Sequence, residues 1–183
     1  MDRRQKKTRE LILKAFIKLL SKKSYSAVTV GQIIQTANVG RATFYAHFET
    51  KDYLLKELCK ELFDHVFDCY LNTNNDQQGL FCCDAPDSTF LHLFIHLKKN
   101  DNNILKLLTS ENTHLFMEYF QENLNQLIIS SNDIIKQKKP SFVPDSYWTN
   151  HVSSCFISTL KWWIKESPAL SPEEITNYFI NTI

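Results

Sequence analysis

The chain has 183 residues, 43% of them hydrophobic and 22% charged, with a net charge of +1. That length and apolar content suit a globular protein of one or two domains with a sizeable core, and they argue against intrinsic disorder. No apolar run approaches the roughly 20 residues of a spanning helix, and the charged start "MDRRQKKTRE" has no separate signal region, so a cytoplasmic protein without a membrane partner is expected.

Apolar residues recur at helical spacing almost throughout, and only three glycines are present. Thr8, Ile12, Ala15, Phe16, Leu19 and Leu20 line one face of a first helix over about 4–22, and "KKSYSAV" breaks it. Thr29 is placed to cap a second helix, with Gln32 completing a capping box and Val28 and Ile33 a hydrophobic staple. That helix runs to about Ala37; Asn38 and Gly40 supply the turn, and a short third helix covers 41–48. Two helices joined by a short glycine-containing turn form the helix-turn-helix pattern.

Thr50 is placed to cap a fourth helix to about Leu71, followed by the polar loop "NTNNDQQG". Asp87 is placed to cap a fifth helix, "STFLHLFIHLKKN", apolar nearly all round and therefore central. A short amphipathic piece, "NNILKLLTS", precedes a long helix over about 112–137. After the loop "KKPSFVP", a helix over 145–166 carries Trp148, Trp162 and Trp163. The last helix opens with Ser171 as N-cap, Pro172 at the first helical position, Glu174 in a capping box, and a Leu170–Ile175 staple. The expected fold is all-α.

Charge divides the chain. Residues 1–56 hold twelve Lys or Arg against four Asp or Glu, giving +8, and the remainder carries −7. A basic N-terminal third suggests that this part meets a polyanion. The third helix fits that reading. At 100° per residue, Phe44 and Phe48 fall within about 40° of each other and can anchor the helix. Arg41, Thr43, Tyr45 and His47 fan outward with donors suited to phosphate oxygens and base edges in a DNA major groove. Lys51 opens the fourth helix, where a cation opposes the helix dipole and a bound phosphate would relieve the conflict.

The stretch "TVGQIIQTANVGRATFYAHFETKDYLL" resembles the DNA-binding region of the TetR family of bacterial transcription regulators, over about residues 8–56. Thr29, Ala37, Val39, Thr43, Phe44, Tyr45, His47, Phe48, Lys51 and Leu54 stand where the family pattern places such residues. "HLKKNDNNILKLLTSENTHLF" and "WWIKESPALSPEE" resemble one subgroup of the family's regulatory domains. Two positions depart from the pattern: Asn38 stands where Gly is frequent, and Gly40 where Ser is frequent. The resemblance implies a helix-turn-helix DNA-binding domain over 1–50 and an effector-binding and dimerisation domain over 51–183. It implies a homodimer joined by the last two helices, bound to a double-stranded DNA operator, with a small-molecule effector among the middle helices. In this pattern Thr43, Tyr45, His47 and Lys51 grip phosphates, Arg41 and Gln32 approach bases, and Thr29 contacts the backbone as well as capping its helix.

The expected function is transcriptional repression released by a small hydrophobic effector. The alternatives are activation, or a DNA-bound adaptor controlled by a protein partner. Phe116, Tyr119, Phe120 and Trp148, with His96, fit either an aromatic core or the lining of that effector site. His92 and His96 have a metal-compatible spacing, but "HLFIH" is otherwise apolar and has no adjacent carboxylate. A histidine beside a cavity is therefore the expectation, with no metal and no cofactor. No nucleophile–base set or glycine-rich phosphate loop points to an enzyme. The five cysteines include no CxxC pair, so reduced thiols are expected. Redox sensing at "FCCD" is the alternative.

Overall fold

The computed structural model describes residues 3–71, 88–99, 114–130 and 134–183, and among these it is all-helical, without strands. The helices are α1 (Arg3–Leu20), α2 (Val30–Ala37), α3 (Arg41–His47), α4 (Lys51–Leu71), α5 (Thr89–Lys99), α6 (His114–Ser130), α7 (Ile134–Lys138), α8 (Asp145–Glu166) and α9 (Pro172–Thr182). A short 3-10 turn, Tyr25–Ala27, follows α1. The loop "NTNNDQQG", the proposed cap Asp87, the stretch "FCCD" and the piece "NNILKLLTS" lie outside the described residues. The helix expected over 112–137 is described as α6 and α7, with residues 131–133 between them outside the description.

Local chemistry sets the element ends. Thr29 and Gln32 form the reciprocal capping box of α2, and Ser171 and Glu174 that of α9. The Thr50 hydroxyl accepts from the Tyr53 amide at 2.9 Å, starting α4. At α5 the hydroxyl of Ser88 accepts from the Leu91 amide at 3.4 Å. Asn38 ends α2 in the left-handed conformation, φ 52° and ψ 49°. Asparagine tolerates this region better than most residues.

α1 packs on α2, and α2 on α3. α4 packs against α5 and α6, with Leu54, Leu55, Leu58, Cys59, Leu62, Phe63 and Val66 forming its buried stripe. α5 is buried on nearly every side, as its composition requires, and packs on α9. Around it the rings of Phe90, Phe94, Phe156 and Phe179 lie with centroids 4.5 to 6.3 Å apart, distances at which offset and edge-on aromatic pairs attract. α8 packs on α6 and α9. No described helix is long and apolar enough to cross a membrane.

Candidate nucleic-acid interface

The third helix separates its faces as its period requires. Phe44 and Phe48 are completely buried, while Tyr45, adjacent to Phe44, is 48% exposed. Arg41 and Thr43 are exposed on the same short helix, and His47 is half-buried at its end. The Tyr45 ring stands edge-on to Phe44, with centroids 5.4 Å apart, so its body is braced while its hydroxyl end faces solvent. Gly40 caps α3 without a side-chain hydrogen bond, as expected from the missing serine. A Cβ at Gly40 would meet Thr43 Oγ1 at 3.5 Å, an ordinary contact, so neither space nor backbone conformation demands glycine there.

On α2, Thr29 is exposed and its hydroxyl accepts from the Gln32 amide at 3.3 Å. Gln32 Oε1 accepts from the Thr29 amide at 3.2 Å, which leaves the two N–H donors of the Gln32 side chain pointing elsewhere. The capping box therefore fixes the orientation of a side chain that could read a base edge. Arg3, Arg4, Lys6, Lys7, Lys14, Lys18, Lys22 and Lys23 are exposed along and just after α1. These side chains give the helix-turn-helix a cationic flank.

Two basic residues do not face solvent as freely as their charge suggests. Arg9 bonds the carboxylates of Glu57 and Glu61 on α4, its Nε lying 3.2 Å from Glu61, and its guanidinium sits 5.1 Å from the Phe48 ring centroid. It joins α1 to α4. Lys51 Nζ donates to the carbonyls of Tyr25 and Val28, each at 2.9 Å, and lies 4.2 Å from the Tyr25 ring centroid. The conflict between Lys51 and the α4 dipole is thus relieved inside the chain, and no bound phosphate is needed to explain it. Burial holds the Lys51 ammonium below lysine's ordinary pKa, with Asp52 opposing that shift. Tyr25 Oη donates to the Asp52 carboxylate. Burial first, and then Asp52, pushes the Tyr25 phenol well above its ordinary value, so it remains a donor. Tyr25 and Asp52 are components of this junction that motif reading did not single out.

The five residues expected near an effector occupy different settings. Phe116 and Phe120 are buried, 6.0 Å apart by centroid, and Phe120 continues to Phe63 at 5.1 Å and Phe156 at 6.3 Å. Trp148 is buried, and its indole N–H donates to the Ile135 carbonyl at 3.2 Å. Tyr119 is half-buried, with Lys56 Nζ 5.3 Å from its ring centroid. His96 is buried beside His92, with 3.1 Å between their Nε2 atoms, and His65 of α4 stands 4.6 Å from His96 by ring centroid. Burial and the nearby His65 push His92 down to about 4. His65 was invisible to motif reading because it lies on another helix.

Cys59 is buried, and burial pushes its thiol up; Cys155 is a second free cysteine.

Residues 12–58 match the family described as "Bacterial regulatory proteins, tetR family", and residues 84–183 match "Transcriptional regulator C-terminal region". The chain superposes on the crystal structure of a TetR transcriptional regulator from Streptococcus agalactiae with a TM-score of 0.69 and 31% identity, covering 99% of this chain and 96% of that one. It is 27% identical over 187 residues to the HTH-type transcriptional regulator YxbF of Bacillus subtilis, covering 98% of this chain but only 45% of that relative. It is also 27% identical over 145 residues to the dhaKLM operon transcriptional activator DhaS of Lactococcus lactis, covering 78% of this chain and 67% of that protein. With an exposed recognition-type helix set on a buried phenylalanine pair, and family matches at both ends, the chain belongs to the tetR family of bacterial regulatory proteins.

Proposed function

We propose that the protein is a cytoplasmic transcriptional regulator that binds a double-stranded DNA operator as a homodimer. The observation that carries this reading is the two-faced third helix, with Phe44 and Phe48 buried and Arg41, Thr43 and Tyr45 exposed beside a cationic flank. Residues 1–50 form the DNA-binding unit and 51–183 the effector-binding and dimerisation unit. Thr43, Tyr45 and His47 hold phosphates, Arg41 and Gln32 approach bases, and Thr29 contacts the backbone. Lys51 contributes at most the donor left over from its two carbonyl bonds.

The dimer forms through α8 and α9. Support comes from Trp162 and Tyr178, which are 43% and 49% exposed with centroids 6.3 Å apart. Tyr147, His151, Ser154 and Ser158 continue an exposed stripe along α8 at helical spacing. Two subunits so joined would set their recognition helices about 34–36 Å apart, one turn of DNA.

Repression released by a small hydrophobic effector is the regulatory reading we adopt. Phe116, Tyr119, Phe120, Trp148 and His96 are its candidate contacts, and an effector acts only by binding the DNA-incompetent state more tightly. Activation is the second reading, favoured by the similarity to the operon activator DhaS. Selection of duplexes from a random library, followed by footprinting, tests the proposal. A protected, roughly palindromic site is expected, more weakly held in Tyr45→Phe and relaxed at one position of each half-site in Arg41→Ala; failure to enrich any duplex contradicts it. A reporter driven from the selected site then fixes the sign of regulation.

A further inference from the structure

Three histidines meet away from the helix-turn-helix. His92 and His96 are four residues apart on α5, which places both imidazoles on one face. His65 reaches the same place from α4. One ring nitrogen from each lies within 4.8 Å of the others, and His92 Nε2 is 3.1 Å from His96 Nε2. The ring centroids are 5.2 Å apart for His65–His92, 4.6 Å for His65–His96 and 4.8 Å for His92–His96. His92 and His96 are buried and His65 is half-buried.

We propose that His65, His92 and His96 form a binding site for a divalent transition cation of the zinc class. The three imidazoles would be its protein ligands, and water or an exogenous donor would take the fourth position. Zinc–imidazole bonds are about 2.0–2.1 Å, so nitrogens around a tetrahedral ion stand about 3.3–3.4 Å apart. The His92–His96 pair is already at 3.1 Å. A widest separation of 4.8 Å needs to close by roughly 1.4 Å to reach that spacing. Imidazole rotation about its broad χ2 well supplies such a movement. Three nitrogen donors without a carboxylate suit zinc, cobalt, nickel or copper and not magnesium or calcium. Ligation needs an unprotonated imidazole, so binding should weaken as pH falls. Three protein ligands with an open fourth position resemble exchangeable zinc sites more than closed structural ones.

The ion would pin α4 to α5. α4 begins at Lys51, against the turn that carries Tyr25 and next to the recognition helix. Occupancy would therefore bias the placement of the helix-turn-helix, a consequence that rests on the DNA-binding reading above.

The test uses the full chain, tag-free and chelator-treated, with Co(II) as the spectroscopic probe. One equivalent per chain should produce the visible bands of four-coordinate Co(II), and Zn(II) should abolish them. His65→Gln, His92→Gln and His96→Gln should each weaken binding by at least about 100-fold, whereas His114→Ala, at an exposed histidine outside the cluster, should not. If a buried variant unfolds, the half-buried His65→Gln decides, with circular dichroism confirming its helices. Zinc should raise the wild-type Tm and leave His65→Gln unmoved. No stoichiometric binding, or binding that survives His65→Gln, overturns the site. Operator affinity with and without zinc should differ by about fivefold or more; equal affinities overturn the coupling. A chain that binds zinc but no duplex contradicts the DNA-binding reading and leaves the metal site standing.

Discussion

Lys51 Nζ lies 2.9 Å from the carbonyl oxygen of Tyr25 and 4.2 Å from the centroid of the same residue's ring. The Tyr25 hydroxyl in turn bonds Asp52, so the first two residues of α4 hold both ends of one tyrosine. The turn before α2 is thereby fastened to the helix that runs into the core. Lys51→Ala would leave the Tyr25 and Val28 carbonyls without their cationic donor. An expected loss of about 1–2 kcal/mol follows from charge-assisted bonds in a half-exposed setting. Urea denaturation checks it, and unchanged stability would show that these bonds contribute nothing.

Phe44 and Tyr45 are neighbours with opposite environments, 0% and 48% exposed. Phe44→Ala should cost about 3–5 kcal/mol as a buried large-to-small change. Tyr45→Phe removes one exposed hydroxyl and should stay within about 0.5 kcal/mol of wild type, while weakening DNA binding. Paired thermal melts and operator titrations read both quantities. A destabilised Tyr45→Phe with normal binding would reverse the assignment.

Local signals were the legible ones. The capping boxes at Thr29 and Ser171 and the left-handed Asn38 are decided within a few residues, so sequence spacing suffices to find them. The burial of Phe44 and Phe48 follows from one helical period. What escaped is tertiary. His65 meets His92 only because α4 packs on α5. In sequence Lys51 is a cation in conflict with a helix dipole, yet its partners are carbonyls more than twenty residues earlier. Trp162 and Trp163 are adjacent, and only the packing of α8 shows that one is 43% exposed and the other 2%.

That difference between the two tryptophans yields a prediction about assembly. Trp163 is buried and donates to the Leu170 carbonyl at 3.1 Å, whereas Trp162 faces outward beside Tyr178. Trp162→Glu combined with Tyr178→Glu should give a monomer with full helical content. Light scattering and circular dichroism measure the two properties. A dimer that persists in this double variant would move the interface away from α8 and α9.

Stability should depend on pH through His92. Its folded value is pushed to about 4 by burial and by His65, against an ordinary 6.5. Between those values the unfolded chain binds more protons than the folded one, so stability rises with pH there. The contribution is complete above about 6.5 and is lost as pH falls toward 4, at up to about 1 kcal/mol per unit. Metal-free denaturation curves from pH 7 to 5 should show this slope, and His92→Phe should flatten it. A slope unchanged in His92→Phe would place the proton uptake elsewhere.

If the cationic flank and exposed face of α3 grip duplex DNA, binding must depend on salt. Operator affinity should fall linearly on a plot of log K against log salt, with about −0.9 of slope for each phosphate neutralised. Thr43→Ala should weaken binding across sequences without changing base preference, whereas Arg41→Ala should relax preference at one position of each half-site. An affinity independent of salt, or one that these changes leave untouched, would contradict the account.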